Sequence, residues 1–238
     1  MKKYFLFFLL ATFTILSCQQ KSSNREELPP PNILWITTED IGPGLGSYGD
    51  DYAATPNLDQ LAKEGAVYQK AYASAPICSP ARSALITGVY ATSLGTQHLR
   101  SDISIPEKIK TIPEYLRANG YFCTNNSKTD YNFDPSGRWD ENSNQAHWRN
   151  RPEGKPFFSV FNFGTTHEGP TNSTDTSIFK TLENHHNPAE ANLPPVLPST
   201  EEFKKIWARQ YDLITVMDKQ AGDIINQLKE DGEYDNTI

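Results

Sequence analysis

Cysteine is scarce in this chain of 238 residues: there are three, at positions 18, 78 and 123. So few thiols give no disulfide framework, whatever the redox compartment. Basic residues are in deficit, with 22 Lys and Arg against 29 Asp and Glu and a net charge of −7. No basic stripe is present to meet phosphates, which excludes a nucleic-acid binder. The same deficit means that any anionic ligand must be held by a few local cations. Long apolar runs are missing too: Tyr4 to Leu16 is short and follows Lys2-Lys3, which suits a targeting segment better than a membrane span. No internal repeat is visible. The length allows one large domain or two small ones, with ample chain for a core.

What is present begins with that targeting segment. Ile15-Leu16-Ser17-Cys18 resembles a bacterial lipobox. Residues 1–17 are therefore expected to be a lipoprotein signal peptide, with Cys18 lipidated by the lipoprotein-processing machinery after cleavage. Residues 18–31, polar and then proline-rich, read as a flexible tether to a bacterial envelope membrane, on its outer-membrane, periplasmic or cell-surface face. An ordinary signal peptide with an accidental cysteine is the alternative. Cys123, in the apolar run Tyr121-Phe122-Cys123, reads as core.

From Asn32 to Ile238 strands alternate with helices. Asn32 to Thr38 is a short β-rich run that breaks at Gly42-Pro43-Gly44. A helix is expected from Thr55-Pro56 to Gly65, then a second strand over Ala66 to Ala73. Thr111-Ile112-Pro113-Glu114 has capping-box spacing and opens a helix closing at Asn119-Gly120. A strand follows at Tyr121 to Thr124, a long loop at Asp130 to Arg151, and a buried strand at Phe157 to Phe163. Ser199-Thr200-Glu201-Glu202 offers a second capping box. It starts a long helix with Phe203, Ile206, Trp207, Ile214, Met217, Ile224, Ile225 and Leu228 on one stripe, ended by Gly232. The pattern predicts an α/β fold, a mainly parallel central sheet between helical layers. Another strand is expected to be starting at Tyr234 to Ile238, so the chain reads as the incomplete N-terminal part of a longer domain.

The chemistry centres on Pro76-Ile77-Cys78-Ser79-Pro80-Ala81-Arg82. Ser79 suits an N-cap and Pro80 the first helical position, so a helix is expected from Pro80 to Thr87, stopping at Gly88. Cys78 would then sit where free N–H groups and the positive end of the helix dipole favour an anion. Arg82, about one turn on, could reach back with a charge-assisted fork. A lone cysteine is more often a small buried hydrophobe, and spacing alone leaves the two readings open. Glu39-Asp40 follows a strand end, where the glycine-rich bend could let two hard oxygen ligands converge on Ca²⁺ or Mg²⁺. From the residues alone a solvated acidic turn is the commoner reading. Lys128 and His167 each follow a predicted strand, and either could be an ordinary surface residue. His147, His185 and His186 have no motif around them, and a metal pair at His185-His186 is not expected.

The Cys78-x-Pro80-x-Arg82 pattern with its following Thr87-Gly88 resembles the type I, formylglycine-dependent sulfatases of the alkaline-phosphatase-like superfamily. The resemblance extends over Asn32 to Ile238 and is most specific at the cysteine. It implies oxidation of Cys78 to formylglycine by a formylglycine-generating or anaerobic maturation enzyme. One hydroxyl of the hydrated aldehyde would attack sulfur, and the other would collapse to the aldehyde and eject sulfate. It implies a divalent cation, usually calcium, on Glu39, Asp40 and the modified residue 78, with Glu39 standing where the family commonly has Asp. Lys128 matches the family's sulfate-holding lysine, although Asp130 falls where a histidine is usual. His167 matches the histidine that meets the bridging oxygen, and Arg82 belongs to the motif. His98 and Arg100 resemble substrate-side segments of the heparan N-sulfatase-like branch. The implied activity is hydrolysis of sulfate esters or sulfamates on a sulfated glycan. Rival readings are a phosphomonoester, phosphodiester or phosphonate hydrolase of the same superfamily, or a non-catalytic glycan-binding lipoprotein.

Overall fold

Residues 29–238 are described by the computed structural model; the expected signal peptide, Cys18 and most of the expected tether lie outside the described residues. Apolar β-rich runs pair into one parallel sheet in the order β1-β4-β2-β3. The strands are β1 (Ile33–Thr38), β2 (Phe122–Asn126), β3 (Glu141–Asn142) and β4 (Phe157–Phe163). Side chains alternate across a strand, and in central β4 both faces are apolar, as a sheet covered on both sides requires. Phe158 and Val160 pack on one side with Trp35, Cys123, Trp139 and Ile86. Phe157 and Phe161 pack on the other with Trp148, Ile224 and Leu228. Each such buried side chain contributes up to about 1.5–3 kcal/mol.

The helices are α1 (Pro56–Glu64), α2 (Cys78–Thr87), α3 (Ala91–Leu94), α4 (Ile112–Ala118), α5 (Glu168–Asn172) and α6 (Glu201–Glu230). α2 and α4 send Ile86, Ile112 and Leu116 to the first face of the sheet, and α6 sends Ile224 and Leu228 to the second. The sheet therefore lies between helical layers, as its alternating elements predict. Thr111 and Glu114 close the expected capping box at α4. Cys123 is fully buried, and burial pushes its thiol up to about 12, consistent with a core role.

Four expectations are corrected. Ala66 to Ala73 forms no strand: it has no ladder partner among the described residues, and Tyr68 and Tyr72 stand exposed. An extended run needs a neighbouring strand to satisfy its backbone. Helix α2 begins earlier than read, with Ile77 as N-cap, so Cys78 is its first residue and Ser79 is buried inside the first turn. At α6 the cap is Thr200, whose hydroxyl accepts from Phe203 N at 3.4 Å, so the box expected at Ser199 does not form. The segment from Asp130 to Arg151 is less irregular than its polarity implies. It carries β3 and a short turn at Trp148–Asn150, and buries Tyr131, Phe133, Trp139 and Trp148.

The stripe on α6 is also wider than its periodicity shows. Phe179 covers Leu213 and Val216, while Tyr211, Ile214 and Met217 meet Ile41, Leu45 and Leu58, and Ile206 points to solvent. At its other end the chain pairs Thr237 with Asn32 in parallel. Ile238 N donates to Asn32 O at 2.9 Å, but this is an isolated bridge: Tyr234–Asn236, expected to open a strand, forms a short 3-10 turn instead.

One buried carboxylate locks α1 to α6. Asp218 accepts from Asn57 N (3.2 Å), Leu58 N (2.9 Å) and Asn57 Nδ2 (2.8 Å), occupying N–H groups that a helix start leaves unpaired. Gly222, one turn on, makes room for this contact: a Cβ there would lie 2.5 Å from the Asn57 side chain. Asp218→Ala leaves three donors without partners. It is expected to lower the unfolding free energy by about 2–4 kcal/mol in urea titrations; a loss under about 0.5 kcal/mol would show the cap to be dispensable.

Candidate active site

The candidate residues gather beyond the carboxyl ends of the parallel strands, where open α/β sheets place their ligands. Glu39 follows the last residue of β1. Its backbone is fixed from both sides by Thr166, whose hydroxyl donates to Glu39 O and accepts from Glu39 N. The same link carries His167, the next residue and N-cap of α5, to the edge of the site. Cys78 arrives on the first turn of α2. The result is a convergence of three unlike donors. Cys78 Sγ lies 3.9 Å and His167 Nε2 3.8 Å from Glu39 Oε2, and the three ligand atoms all fall within 4.8 Å of one another.

Lys128 completes the group, with Nζ 2.6 Å from Glu39 Oε1 and 3.9 Å from Asp130 Oδ2. Asp130 faces a second cation at the same distance: Arg100 Nε is 3.9 Å from Oδ1. Cys78, Glu39, His167 and Arg100 line a cleft of about 540 Å³ together with Ala73, Pro76 and Leu85. The site thus combines a carboxylate, an ammonium and an imidazole around one sulfur, a setting that suits transfer of an anionic group.

Three residues sit differently from their expected places. Arg82 borders the cleft, but its fork is spent on the protein: Nε donates to Thr129 O (2.8 Å), and Nη2 to Lys128 O (2.6 Å) and Asn162 Oδ1 (2.7 Å). Through these bonds it fixes the Lys128 loop while it lines the cleft. Asp40 lines the cleft with an exposed side chain and a left-handed backbone (φ 50°), outside the Cys78–Glu39–His167 convergence. His98 is exposed and does not line the cleft; its carbonyl serves as an acceptor for Asn132. Arg100, by contrast, is at the mouth.

The motifs gave no notice of the supports behind this site. Asn162 on β4 accepts from Arg82 and from Thr37 Oγ1 (2.8 Å), and donates to Asn125 Oδ1 (2.9 Å) and Asn126 O (3.1 Å). Asn125 continues the row to Asn142 Oδ1 at 2.8 Å. The signal was there in the sequence: amides toward the carboxyl ends of strands β2 and β4.

Comparison with known proteins places these features in a class. The fold matches solved structures of α/β hydrolytic enzymes at 18% identity. One is a sulfatase from the glycosaminoglycan metabolism of Bacteroides thetaiotaomicron (TM-score 0.71, covering 87% of this chain and 60% of that one). Another is the phosphonate monoester hydrolase of Agrobacterium radiobacter (TM-score 0.69, 87% and 61%). The sulfatase family model matches residues 31–238, and the chain belongs to the sulfatase family. An ulvan-active sulfatase of Formosa agariphila is 37% identical, covering 87% of this chain and 42% of its own length. The human N-acetylgalactosamine-6-sulfatase is 38% identical over a stretch covering 39% of this chain and 20% of its own. The chain therefore spans less than half the length of these curated relatives.

The two histidines set aside at 185 and 186 prove to be a structural clamp. Both Nδ1 atoms meet one buried carboxylate on α6: His185 to Asp212 Oδ2 at 2.7 Å and His186 to Asp212 Oδ1 at 2.8 Å, with His186 N on Oδ1 at 2.8 Å. Burial, the largest influence on Asp212, pushes its carboxyl up. The hydrogen bonds from His186 and His185 outweigh it and hold the group below its ordinary 3.8. A carboxyl depressed in the folded state adds stability above its unfolded value, and loses it as pH falls through the folded one. Asp212→Asn should therefore lower stability by about 1–3 kcal/mol at neutral pH. The gap to wild type should hold down to about pH 4 and close below it, in thermal melts across pH. A gap that widens with acid would sink this account of the clamp.

Proposed function

We propose that the whole protein hydrolyses sulfate esters or sulfamates on a sulfated glycan, with Cys78 oxidised to formylglycine as its reactive residue. The observation that carries this reading is the meeting of Cys78, Glu39 and His167 in one cleft at the sheet's carboxyl end, with Lys128 paired to Glu39. The names of the relatives support the substrate class, a sulfated polysaccharide. The maturation enzyme is expected to be of the formylglycine-generating or anaerobic kind.

The donors fit a hard divalent cation, calcium with magnesium as the alternative: Glu39 offers carboxylate oxygen beside residue 78, and exposed Asp40 adjoins it. Glu39, Asp40 and an oxygen of the modified residue 78 would hold it. Once bound, the cation supplies positive charge that favours an ionised hydroxyl and offsets charge on the sulfuryl oxygens. The chain's own groups do the remainder. Lys128 Nζ donates to sulfate oxygens, Arg82 keeps the Lys128 loop in place, and His167 Nε2 delivers a proton to the leaving oxygen or nitrogen. Arg100 at the mouth offers a cation to a further anionic group of the substrate.

A second reading, hydrolysis of phosphate or phosphonate monoesters, is favoured by the fold shared with the Agrobacterium hydrolase. Residues 1–18 support export and lipid anchoring in a bacterial envelope; Cys18→Ser is expected to abolish incorporation of labelled fatty acid.

Mass spectrometry of the Cys78 peptide should show a loss of about 18 Da, thiol to aldehyde. The whole protein should turn over aryl sulfates in preference to aryl phosphates and phosphonates. Cys78→Ala should abolish turnover, and Lys128→Ala or His167→Ala should lower kcat/KM about 100- to 1,000-fold. A preference for phosphonates would move the assignment to the second reading, and an unmodified Cys78 in the native protein would remove the nucleophile altogether.

A further inference from the structure

Before it is oxidised, residue 78 is a thiol, and a thiol changes which metal the cleft can hold. Sulfur, imidazole nitrogen and one carboxylate oxygen make a soft-to-borderline donor set. Calcium and magnesium ask for six or more oxygens, whereas zinc accepts three protein ligands of this kind with water as the fourth. We propose that the unmodified chain carries a zinc-type site made of Cys78 Sγ, His167 Nε2 and Glu39 Oε2, and that oxidation of Cys78 abolishes it. The preference for zinc stands on the thiol form alone; only the claim that oxidation dismantles the site rests on the hydrolase reading above.

The distances are close to what such a site needs. Tetrahedral zinc with bonds of about 2.0–2.3 Å sets its ligands roughly 3.3–3.6 Å apart. Here Sγ–Oε2 is 3.9 Å, Nε2–Oε2 is 3.8 Å and Sγ–Nε2 lies within 4.8 Å, so side-chain rotations that draw the three atoms inward by about 1 Å or less close the shell. The ligands stand on three separate elements that are already tied together. Thr166 binds the backbone of Glu39 to the segment bearing His167, and Lys128 takes Glu39 Oε1, leaving Oε2 to the trio. An ammonium on the outer oxygen of a ligating carboxylate is a supporting contact of the kind that orients metal ligands.

Charge also closes. The thiol releases its proton to solvent as the sulfur–zinc bond forms, and thiolate plus carboxylate neutralise the ion. The cost is small: His167 Nδ1 must carry the ring proton, giving up a 3.5 Å contact from Gly169 N for a bond to water. Zinc seated there caps the sulfur that maturation must reach.

The test uses the whole protein with Cys78 shown by intact mass to be unmodified, titrated with cobalt(II) as the chromophoric probe for zinc. A sulfur-to-cobalt charge-transfer band should saturate at stoichiometric metal and vanish on adding Zn²⁺, but survive excess Ca²⁺. Cys78→Ala, and the near-isosteric Cys78→Ser, should give no band, and His167→Ala and Glu39→Gln should each weaken binding about tenfold or more. Zn²⁺ should also slow alkylation of Cys78 in the wild-type chain. Cys123 competes poorly, being fully buried. A band that persists in the folded Cys78 variants, or none in the folded wild type, overturns the proposal. Chain matured to the aldehyde should show no band. Were the aldehyde never to form while the band appeared, the zinc site would stand and the formylglycine reading would fall.

Discussion

The arrangement of the cleft depends on one guanidinium. Arg82 on α2 donates to the carbonyls of Lys128 and Thr129 and to the amide oxygen of Asn162, so a helix, the loop after β2 and the end of β4 share a single joint. Charge-assisted bonds of this sort are roughly twice as strong as neutral ones, and losing the donor would strand three acceptors at once. The ring of Tyr131 lies 5.7 Å from the guanidinium carbon. Burial, which Arg82 partly offsets, pushes the Tyr131 hydroxyl up to about 12, so it stays neutral beside the site. With Arg82 in place, Cys78 and Lys128 are held at fixed separation, because both belong to elements that the guanidinium joins.

Behind Arg82 the sheet carries a row of neutral polar groups, Thr37, Asn162, Asn125 and Asn142, one on each of the four strands. Amides suit this place because each both donates and accepts, so one can hand the chain of bonds to the next across strands about 4.8 Å apart. A carboxylate in the row could only accept. It would also bring a further negative charge up to Glu39. The row therefore stiffens the floor of the cleft while leaving its electrostatics to Glu39, Lys128 and Asp130.

Much of this was legible in the residues. The two-faced apolar run at Phe157 to Phe163, the box at Thr111 and the glycine after Thr87 each act within a few neighbours, and each appears where its local chemistry puts it. The site residues Cys78, Glu39, Lys128 and His167 were readable because a family pattern set their order, and the sheet then brings them together. What depended on distant partners was not readable. Ala66 to Ala73 has the composition of a strand but no neighbour to pair with among the described residues. Arg82 looked free because its acceptors, more than forty residues on, are two backbone carbonyls and one amide oxygen that no pattern marks. His185 and His186 looked idle because the carboxylate they share lies on α6.

The glutamate at position 39, where an aspartate is common in the resembled family, becomes intelligible through the same geometry. Its backbone is held by Thr166 on both sides and cannot advance toward the cleft. Reach must therefore come from the side chain. The extra methylene lets Oε1 meet the Lys128 ammonium at 2.6 Å while Oε2 faces Cys78 and His167. A shorter carboxylate on the same fixed backbone would have to give up one of these two directions. Lys128 is in turn held by Arg82 through its own carbonyl. Glu39 is thus matched to the lysine across from it, and its length is set by the width of the cleft that Arg82 fixes.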